Sequence, residues 1–234
     1  MGTDGPLRGR VGLITGGTGG IGRACCVAAT KAGARIFSID LGPNGLYHTT
    51  HVAADVADAD AVESAFQACV HHYGQIDFVI AAAGIGSAGT VETGDPNGWW
   101  PTLETNILGV MHTARSAFAH MRERGGDLLI VGSVSGLETY VGEDIYVASK
   151  WAVTGLTYAL RHEGRELGIR VCLLAPGLVD TPLARSNSFA QQLFARQDTF
   201  LLPEDVANAA IFALSRPAHA AINDMTVRPF GQTL

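Results

Sequence analysis

The sequence predicts a single doubly wound α/β domain, built on a seven-stranded parallel sheet with helices on both faces. Short apolar runs alternate with longer amphipathic segments along the 234 residues. Several runs are apolar throughout, which is typical of parallel strands that are buried on both faces. A glycine-rich run also follows the first strand and opens the first helix, an order typical of such folds.

Gly, Pro or Asp residues bound the predicted strands, and no linker or repeat interrupts the pattern, so residues 1–234 are expected to form one domain. The predicted strands are 11–15, 34–40, 50–55, 76–83, 127–133, 169–175 and 224–228. The predicted helices are 20–32, 58–73, 99–124, 143–167 and 203–215. The polar segment 181–202 follows a strand end, where binding crevices form. We therefore predict a substrate lid there, with residues 189–196 helical.

The composition excludes several classes of protein. Hydrophobic residues make up 47% of the chain, the net charge is −6, and Lys and Arg are scattered. This balance favours a large core and argues against a nucleic-acid surface. No apolar run reaches the ~18 residues of a membrane span, and the first residues lack a secretory signal, so no membrane partner is expected.

Cysteine and histidine spacing favours a reduced, metal-free protein. The four cysteines include no CxxC pair, and the eight histidines lack the spacing of metal ligands. We therefore expect core thiols, a cytoplasmic location and no metal site.

The glycine-rich run and an acidic strand end together indicate a dinucleotide cofactor. In the run Thr15–Gly22, glycines would let the backbone approach a pyrophosphate at a helix N-terminus. Asp40 ends the second strand, where it would accept hydrogen bonds from ribose hydroxyls and repel a 2′-phosphate. No Lys or Arg stands beside it, so NAD is predicted rather than NADP. Asp55 would contact the adenine edge or cap the next helix.

Tyr146 and Lys150 form a candidate proton-transfer pair. Residues i and i+4 share one helix face, so the phenol and the ammonium group would project into one site. A positive charge nearby favours the phenolate and lowers the tyrosine pKa. The spacing therefore predicts a tuned proton donor and acceptor.

In five motifs the chain resembles the short-chain dehydrogenase/reductase family, over nearly its whole length. The pattern TGxxxGIG matches Thr15–Gly22, and YxxxK matches Tyr146 and Lys150. The family serine, 13 residues before the tyrosine, corresponds to Ser133, and its asparagine, 40 residues before, to Asn106. PGxxxT matches the stretch from Pro176 to Thr181.

The resemblance implies a Rossmann fold and a catalytic set. Tyr146 would exchange the proton with the alcohol or carbonyl oxygen, and Ser133 would orient that oxygen. Lys150 would hold the nicotinamide ribose and depress the tyrosine pKa, and Asn106 would hold a water that links Lys150 to solvent. The cofactor-binding residues that it implies are Gly16, Thr18, Gly20, Ile21, Asp40, Asp55, Val56, Ala83, Gly84, Tyr146, Lys150, Pro176, Gly177, Val179 and Thr181.

Two stretches depart from the family pattern. Ala81-Ala82-Ala83-Gly84 stands where Asn-Asn-Ala-Gly is common, which would weaken side-chain hydrogen bonding there more than catalysis. The C-terminal stretch 227–232 also differs from the common Asp-Gly-Gly ending.

The predicted substrate walls are 85–93, 135–143 and the lid. Glu138, Glu143 and Asp144 make the segment before Tyr146 acidic. One hypothesis is that one of these carboxylates binds an amine or hydroxyl group of the substrate. We favour the alternative, in which Glu143 and Asp144 are first-turn residues that complement the helix dipole. We predict that Trp99 and Trp100 are packing residues and that Arg185 contacts an anionic group. The predicted apolar lid residues are Phe189, Phe194 and Phe200.

The prediction is an NAD-dependent oxidoreductase that interconverts a secondary alcohol and a ketone. An NADPH-dependent ketone reductase, a redox-neutral enzyme such as an epimerase, and a non-catalytic cofactor sensor are the alternatives. The resemblance also implies a homodimer or homotetramer that pairs through helices at 101–124 and 146–167.

Overall fold

Seven parallel strands form one sheet in the order β3-β2-β1-β4-β5-β6-β7. The computed structural model describes residues 5–43, 45–46, 48–87, 89–196 and 200–232. The strands are β1 Val11–Thr15, β2 Arg35–Asp40, β3 Thr50–Ala53, β4 Phe78–Ala81, β5 Gly126–Val131, β6 Ile169–Pro176 and β7 Asp224–Val227. The predicted fold class is confirmed. The strand order reverses between β1 and β4, and the crevice at such a switch point binds ligands.

The helices confirm the predicted series with one correction. They are α1 Gly20–Lys31, α2 Ala59–Tyr73, α3 Trp99–Leu103, α4 Gly109–Met121, α5 Asp144–Glu166, α6 Pro182–Ser186, α7 Ser188–Arg196 and α8 Pro203–Leu214. The helix predicted over 99–124 is continuous over 99–121, but a π turn at Glu104–Leu108 divides it into α3 and α4. Asn106 lies in this turn, and its side chain is bonded to two neighbouring segments.

Two hydrophobic layers cover the two faces of the sheet. Successive residues of β1 enter different layers, Leu13 packing with α2 and α4, and Ile14 with α1 and α8. Side chains of a strand point alternately to opposite faces, so burial on both faces requires apolar residues at every position. This explains the unbroken apolar strands of the sequence.

A charged cluster joins strands at the amino end of the sheet. Buried Asp127 in β5 accepts a bidentate pair of hydrogen bonds from Arg170, at 2.6 and 3.0 Å. Arg10, which precedes β1, donates to the same carboxylate and to the carbonyl of Leu214. The candidate site lies at the opposite, carboxyl end of the sheet.

The four cysteines are free and buried, and burial raises the pKa of each thiol to about 12. Within the described ranges, no helix is long and apolar enough to cross a membrane. The same ranges contain no group of three or more His, Cys, Asp or Glu residues that could hold a metal ion.

Candidate active site

The glycine-rich loop is packed backbone against backbone at the end of β1. Gly16 adopts a left-handed conformation with φ +67, and a Cβ there would lie 2.8 Å from Ala83. A Cβ on Gly22 would lie 2.1 Å from the Gly16 carbonyl oxygen. The loop then opens α1, whose free N–H groups form a site for an anion. This geometry fits the pyrophosphate of a dinucleotide.

The alanine-rich departure after β4 keeps its backbone anchored. The Thr15 hydroxyl accepts hydrogen bonds from the N–H groups of Ala82 and Ala83, at 3.2 and 3.3 Å. A Cβ on Gly84 would lie 3.3 Å from Asn106 Oδ1 and 3.8 Å from a Lys150 Nζ. The segment therefore lies between the glycine-rich loop and the predicted catalytic residues, and it needs no asparagine side chains to do so.

Asp40 is fixed beside the glycine-rich loop. Its Oδ2 accepts hydrogen bonds from the Thr18 hydroxyl at 2.6 Å and the Thr18 N–H at 2.9 Å. Burial alone would raise the pKa of Asp40, but the hydrogen bonds from Thr18 and Leu41 outweigh it and lower the pKa. Asp40 therefore presents a negative charge where an adenosine ribose would lie.

Asp55 and Val56 follow β3, away from the catalytic pair. The Asp55 carboxylate accepts a hydrogen bond from the Ala57 N–H in a local turn. Asp58, not Asp55, caps α2, because its side chain accepts from the first N–H groups of that helix. The capping role considered for Asp55 is therefore wrong, and its adenine contact stays a prediction.

Tyr146 and Lys150 lie on one face of α5, as their spacing predicts. Lys150 Nζ lies 5.6 Å from the centre of the Tyr146 ring and donates to the Val131 carbonyl at 3.3 Å. Burial raises the pKa of Tyr146 to about 12, although a hydrogen bond with Ser133 lowers it. Burial also lowers the pKa of Lys150 to about 8. The predicted lowering of the tyrosine pKa by Lys150 is therefore wrong for this structure, because burial raises the pKa and only the hydrogen bond with Ser133 lowers it.

Asn106 ties the predicted catalytic residues to the segment after β4. Its side-chain amide donates to the Ile85 carbonyl at 2.9 Å and to Ser149 Oγ at 3.0 Å. Its Oδ1 accepts from the Ile85 N–H at 2.9 Å. The side chain is thus committed to protein partners, and the water-holding role stays a prediction.

The loop after β6 brings the last motif to the same place. Thr181 caps α6 by accepting from the Ala184 N–H, and its methyl group would lie 2.6 Å from a Cβ on Gly20. Gln232, a residue that the sequence did not single out, accepts from the Leu178 N–H at 2.9 Å. The unusual C-terminal stretch therefore supports the wall of the site.

One cleft of about 140 Å³ joins these elements. The predicted site residues that line it are Ile21, Ser133, Tyr146, Pro176, Gly177, Val179 and Thr181. Its other side chains are divided between apolar ones, which are Val134, Leu178, Leu183, Ala184 and Ala190, and polar ones, which are Ser135, Tyr140, Glu143, Asn187 and Gln232.

A polar chain that the sequence did not predict lies along one wall of the cleft. Ser133 Oγ and Ser135 Oγ are 3.0 Å apart, and Ser135 Oγ lies 2.7 Å from the Tyr140 hydroxyl. Tyr140 donates to Glu143 at 2.7 Å, and Asn187 donates to the other carboxylate oxygen at 2.6 Å. Four of these residues lie within 133–143, which overlaps the predicted substrate wall 135–143, and Asn187 comes from the lid, so the sequence indicated the wall but not its hydrogen bonds.

The helix-dipole role favoured for Glu143 stays a prediction, since Glu143 stands at the N-cap position of α5. Glu143 precedes α5 but makes no side-chain capping bond, because its carboxylate turns into the cleft. Asp144 has a structural role, accepting from the Val91 N–H at 2.9 Å. Glu138 pairs with Arg228.

The predictions for the aromatic side chains and for Arg185 have different outcomes. Trp100 is 64% exposed, so its packing role is wrong, because α3 lies at the surface. Phe194 and Phe200 stack edge to face with centroids 5.2 Å apart and are not among the cleft residues. Arg185 pairs with Asp180. The Phe189 side chain and residues 197–199 lie outside the described residues.

Comparison with known proteins agrees with this geometry. The model of the short chain dehydrogenase family matches residues 10–192. The chain belongs to this family. An uncharacterized oxidoreductase of Staphylococcus saprophyticus is 29% identical over 95% of this chain and 98% of its own length. A counterpart from Staphylococcus epidermidis is 27% identical over 94% and 97%.

Solved structures of short-chain dehydrogenases extend the likeness to the fold. The ligand-free aldohexose dehydrogenase of Thermoplasma acidophilum superimposes with a TM-score of 0.86 at 26% identity, over 97% of this chain and 94% of that one. The gox2181 structure gives 0.85 at 27% identity, over 94% and 96%. Like its family, this short-chain dehydrogenase is an oxidoreductase that uses a nicotinamide cofactor.

Proposed function

We propose that the protein is an NAD-dependent oxidoreductase that interconverts a secondary alcohol and a ketone, with Tyr146 as general acid and base. The observation that carries the proposal is the contact between Tyr146 and Ser133 in a cleft that the glycine-rich loop also borders. A bound nicotinamide would supply or accept the hydride. The residues of this chain then have to bind, orient and transfer a proton.

For ketone reduction, the phenol of Tyr146 donates its proton to the carbonyl oxygen. Ser133 donates a hydrogen bond to the same oxygen and holds it in place. Because burial raises the pKa of Tyr146 to about 12, the phenol keeps its proton near neutral pH. Alcohol oxidation needs the phenolate, which the charge of Lys150 stabilises.

Asp40 supports NAD as the cofactor. Its carboxylate would hydrogen-bond the adenosine ribose hydroxyls of NAD and repel the 2′-phosphate of NADP. Because hydrogen bonds lower its pKa, it keeps its charge near neutral pH. An NADPH-dependent reductase would have to neutralise this charge.

The rival functions predict different measurements. An epimerase-like enzyme would form product with no net NADH, and a cofactor sensor would bind NADH without turnover.

We also propose a single-domain protein that is cytoplasmic and pairs through α4 and α5. Its free, buried cysteines support the cytoplasmic location. Met111 and Trp151, on α4 and α5, are 46% and 45% exposed, which supports a homodimer or homotetramer. Size-exclusion chromatography with light scattering tests this pairing, and a monomer would refute it.

A fluorescence titration with NADH and NADPH tests the cofactor, and an alcohol screen with NAD then tests the reaction. We expect NADH to bind at least about tenfold more tightly, and Asp40→Ala to remove most of that difference. Tyr146→Phe should lower kcat by about 10²- to 10⁴-fold and keep NADH binding. Tyr158→Phe, an exposed change on the same helix, is the matched control. A preference for NADPH would refute the Asp40 argument.

A further inference from the structure

The Glu143 carboxylate is a buried anion in the cleft wall with acceptor capacity to spare. Its side chain belongs to a residue that is only 7% exposed. One oxygen accepts from Tyr140 and the other from Asn187, whereas a carboxylate offers about four acceptor positions. Among residues 5–43, 45–46, 48–87, 89–196 and 200–232, no Lys, Arg or His forms an ion pair with it.

The Glu143 carboxylate joins Tyr140 of the wall to Asn187 of the lid, but the described residues supply no cation to offset its burial. The neighbouring Asp144 already bonds the Val91 backbone, and Glu143 caps nothing. Burial disfavours the ionised form and raises the pKa of Glu143, and neutral donors offset such a cost only in part. A carboxylate kept under these conditions inside a binding cleft is explained by a ligand that donates to it.

Glu143 lies within reach of a molecule that reacts at Tyr146. Hydrogen bonds of 3.0, 2.7 and 2.7 Å join Ser133 Oγ to Glu143 through Ser135 and Tyr140, so the two ends are no more than about 8 Å apart. The cleft lining also includes apolar side chains, among them Val179 and Leu183. The Glu143 carboxylate is thus a polar group close to the place of the reacting oxygen.

We propose that Glu143 binds a second O–H or N–H donor on the substrate, so that the enzyme selects diols or amino alcohols over simple secondary alcohols. This inference rests on the proposed function, because it takes Tyr146 and Ser133 as the place of the reacting oxygen. Hydroxyl and ammonium groups share the donor chemistry, and the experiment separates them.

The test compares cyclohexanol, trans-1,2-cyclohexanediol and trans-2-aminocyclohexanol as substrates with NAD. We expect kcat/KM for at least one donor-bearing compound to exceed that for cyclohexanol by roughly 10- to 100-fold, the effect of a hydrogen bond to a charged group. Glu143→Leu should remove this preference. Glu143→Gln should restore part of a diol preference but not an ammonium preference. Asp144→Asn, a carboxylate change outside the cleft, should keep the wild-type preference.

Binding gives a readout that does not need turnover. The same three compounds are titrated into protein loaded with NADH, and the fluorescence of NADH reports binding. Donor-bearing compounds should bind wild type roughly tenfold more tightly than the Glu143→Leu variant. Equal binding, or a preference that the leucine variant keeps, overturns the inference. Selective binding without hydride transfer supports it and refutes the oxidoreductase proposal, whereas cyclohexanol oxidation without selectivity does the reverse.

Discussion

Replacing Lys150 with methionine should stabilise the protein while it abolishes activity. The Lys150 ammonium is buried against β5 with one carbonyl partner at 3.3 Å. Its pKa is lowered from 10.5 to about 8 by that burial. Because one pKa unit is worth about 1.4 kcal/mol, the charged form costs the folded state about 3 kcal/mol near pH 7.

The methionine variant avoids this cost, since methionine is unbranched and fits an apolar environment. It loses the hydrogen bond to Val131, worth about 1 kcal/mol. The free energy of unfolding of Lys150→Met should therefore exceed that of wild type by about 2 kcal/mol near pH 7. Catalysis would lose the charge that stabilises the Tyr146 phenolate, so stability and activity oppose each other.

The pH dependence of this difference identifies its cause. Below a pH of about 8, both folded and unfolded wild type keep the Lys150 proton, and the full penalty applies. Between about 8 and 10.5 the folded state loses the proton first, so the stability of wild type rises relative to the variant. Above 10.5 both states are neutral and the penalty is gone.

Guanidinium unfolding followed by circular dichroism, near pH 7 and near pH 10 at one protein concentration, measures the effect. Lys31, the only other lysine, is exposed at the end of α1, and Lys31→Met should show no such pH dependence. A Lys150→Met variant that is less stable than wild type near pH 7, or a difference that does not change with pH, would refute the reasoning.

Three further predictions follow from the same structure. Gly22→Ala should lower the free energy of unfolding by at least about 2 kcal/mol in denaturant titrations. Gly19→Ala should change it little, because a Cβ there would lie 3.5 Å from its nearest neighbour. Equal effects of the two substitutions would contradict the packing argument. Alcohol oxidation should accelerate roughly tenfold per unit between about pH 6 and about pH 8, because the pKa of Tyr146 is raised to about 12 and the phenolate is the base; a flat profile would exclude that role. Asp127→Asn should destabilise the protein by about 2 to 4 kcal/mol, since it leaves two arginines without their anion, and thermal unfolding that matches wild type would show the cluster to be dispensable.

The fold could be predicted because its cause is local and repeated. Apolar runs such as 169–175 are continuous because both faces of the strand are buried, and they correspond to the observed β6 at Ile169–Pro176. The registration of Ser133 and Asn106 with Tyr146 identified residues that the structure places around one cleft or directly behind it.

The π turn at 104–108 could not be predicted, since it depends on tertiary contacts. Asn106 bonds Ile85 and Ser149, which are 21 and 43 residues away in sequence. Hydrophobic periodicity shows which face of a helix is apolar, but it does not show that one turn contains an additional residue. Gln232 was missed for the same reason, because the N–H that it accepts from is 54 residues distant.

The two ends of the sheet show how uncompensated charge distinguishes a site from a structural cluster. At the amino end, Asp127 faces two arginines at hydrogen-bonding distance, and the charges offset each other. At the carboxyl end, the described residues give Glu143 neutral donors and Lys150 one carbonyl. Burial moves the pKa of both groups toward neutrality. A fold selected for stability alone would pair or remove them, so the retention of Glu143 in the cleft wall and of Lys150 beside Tyr146 is the physical argument that this end of the sheet binds a ligand.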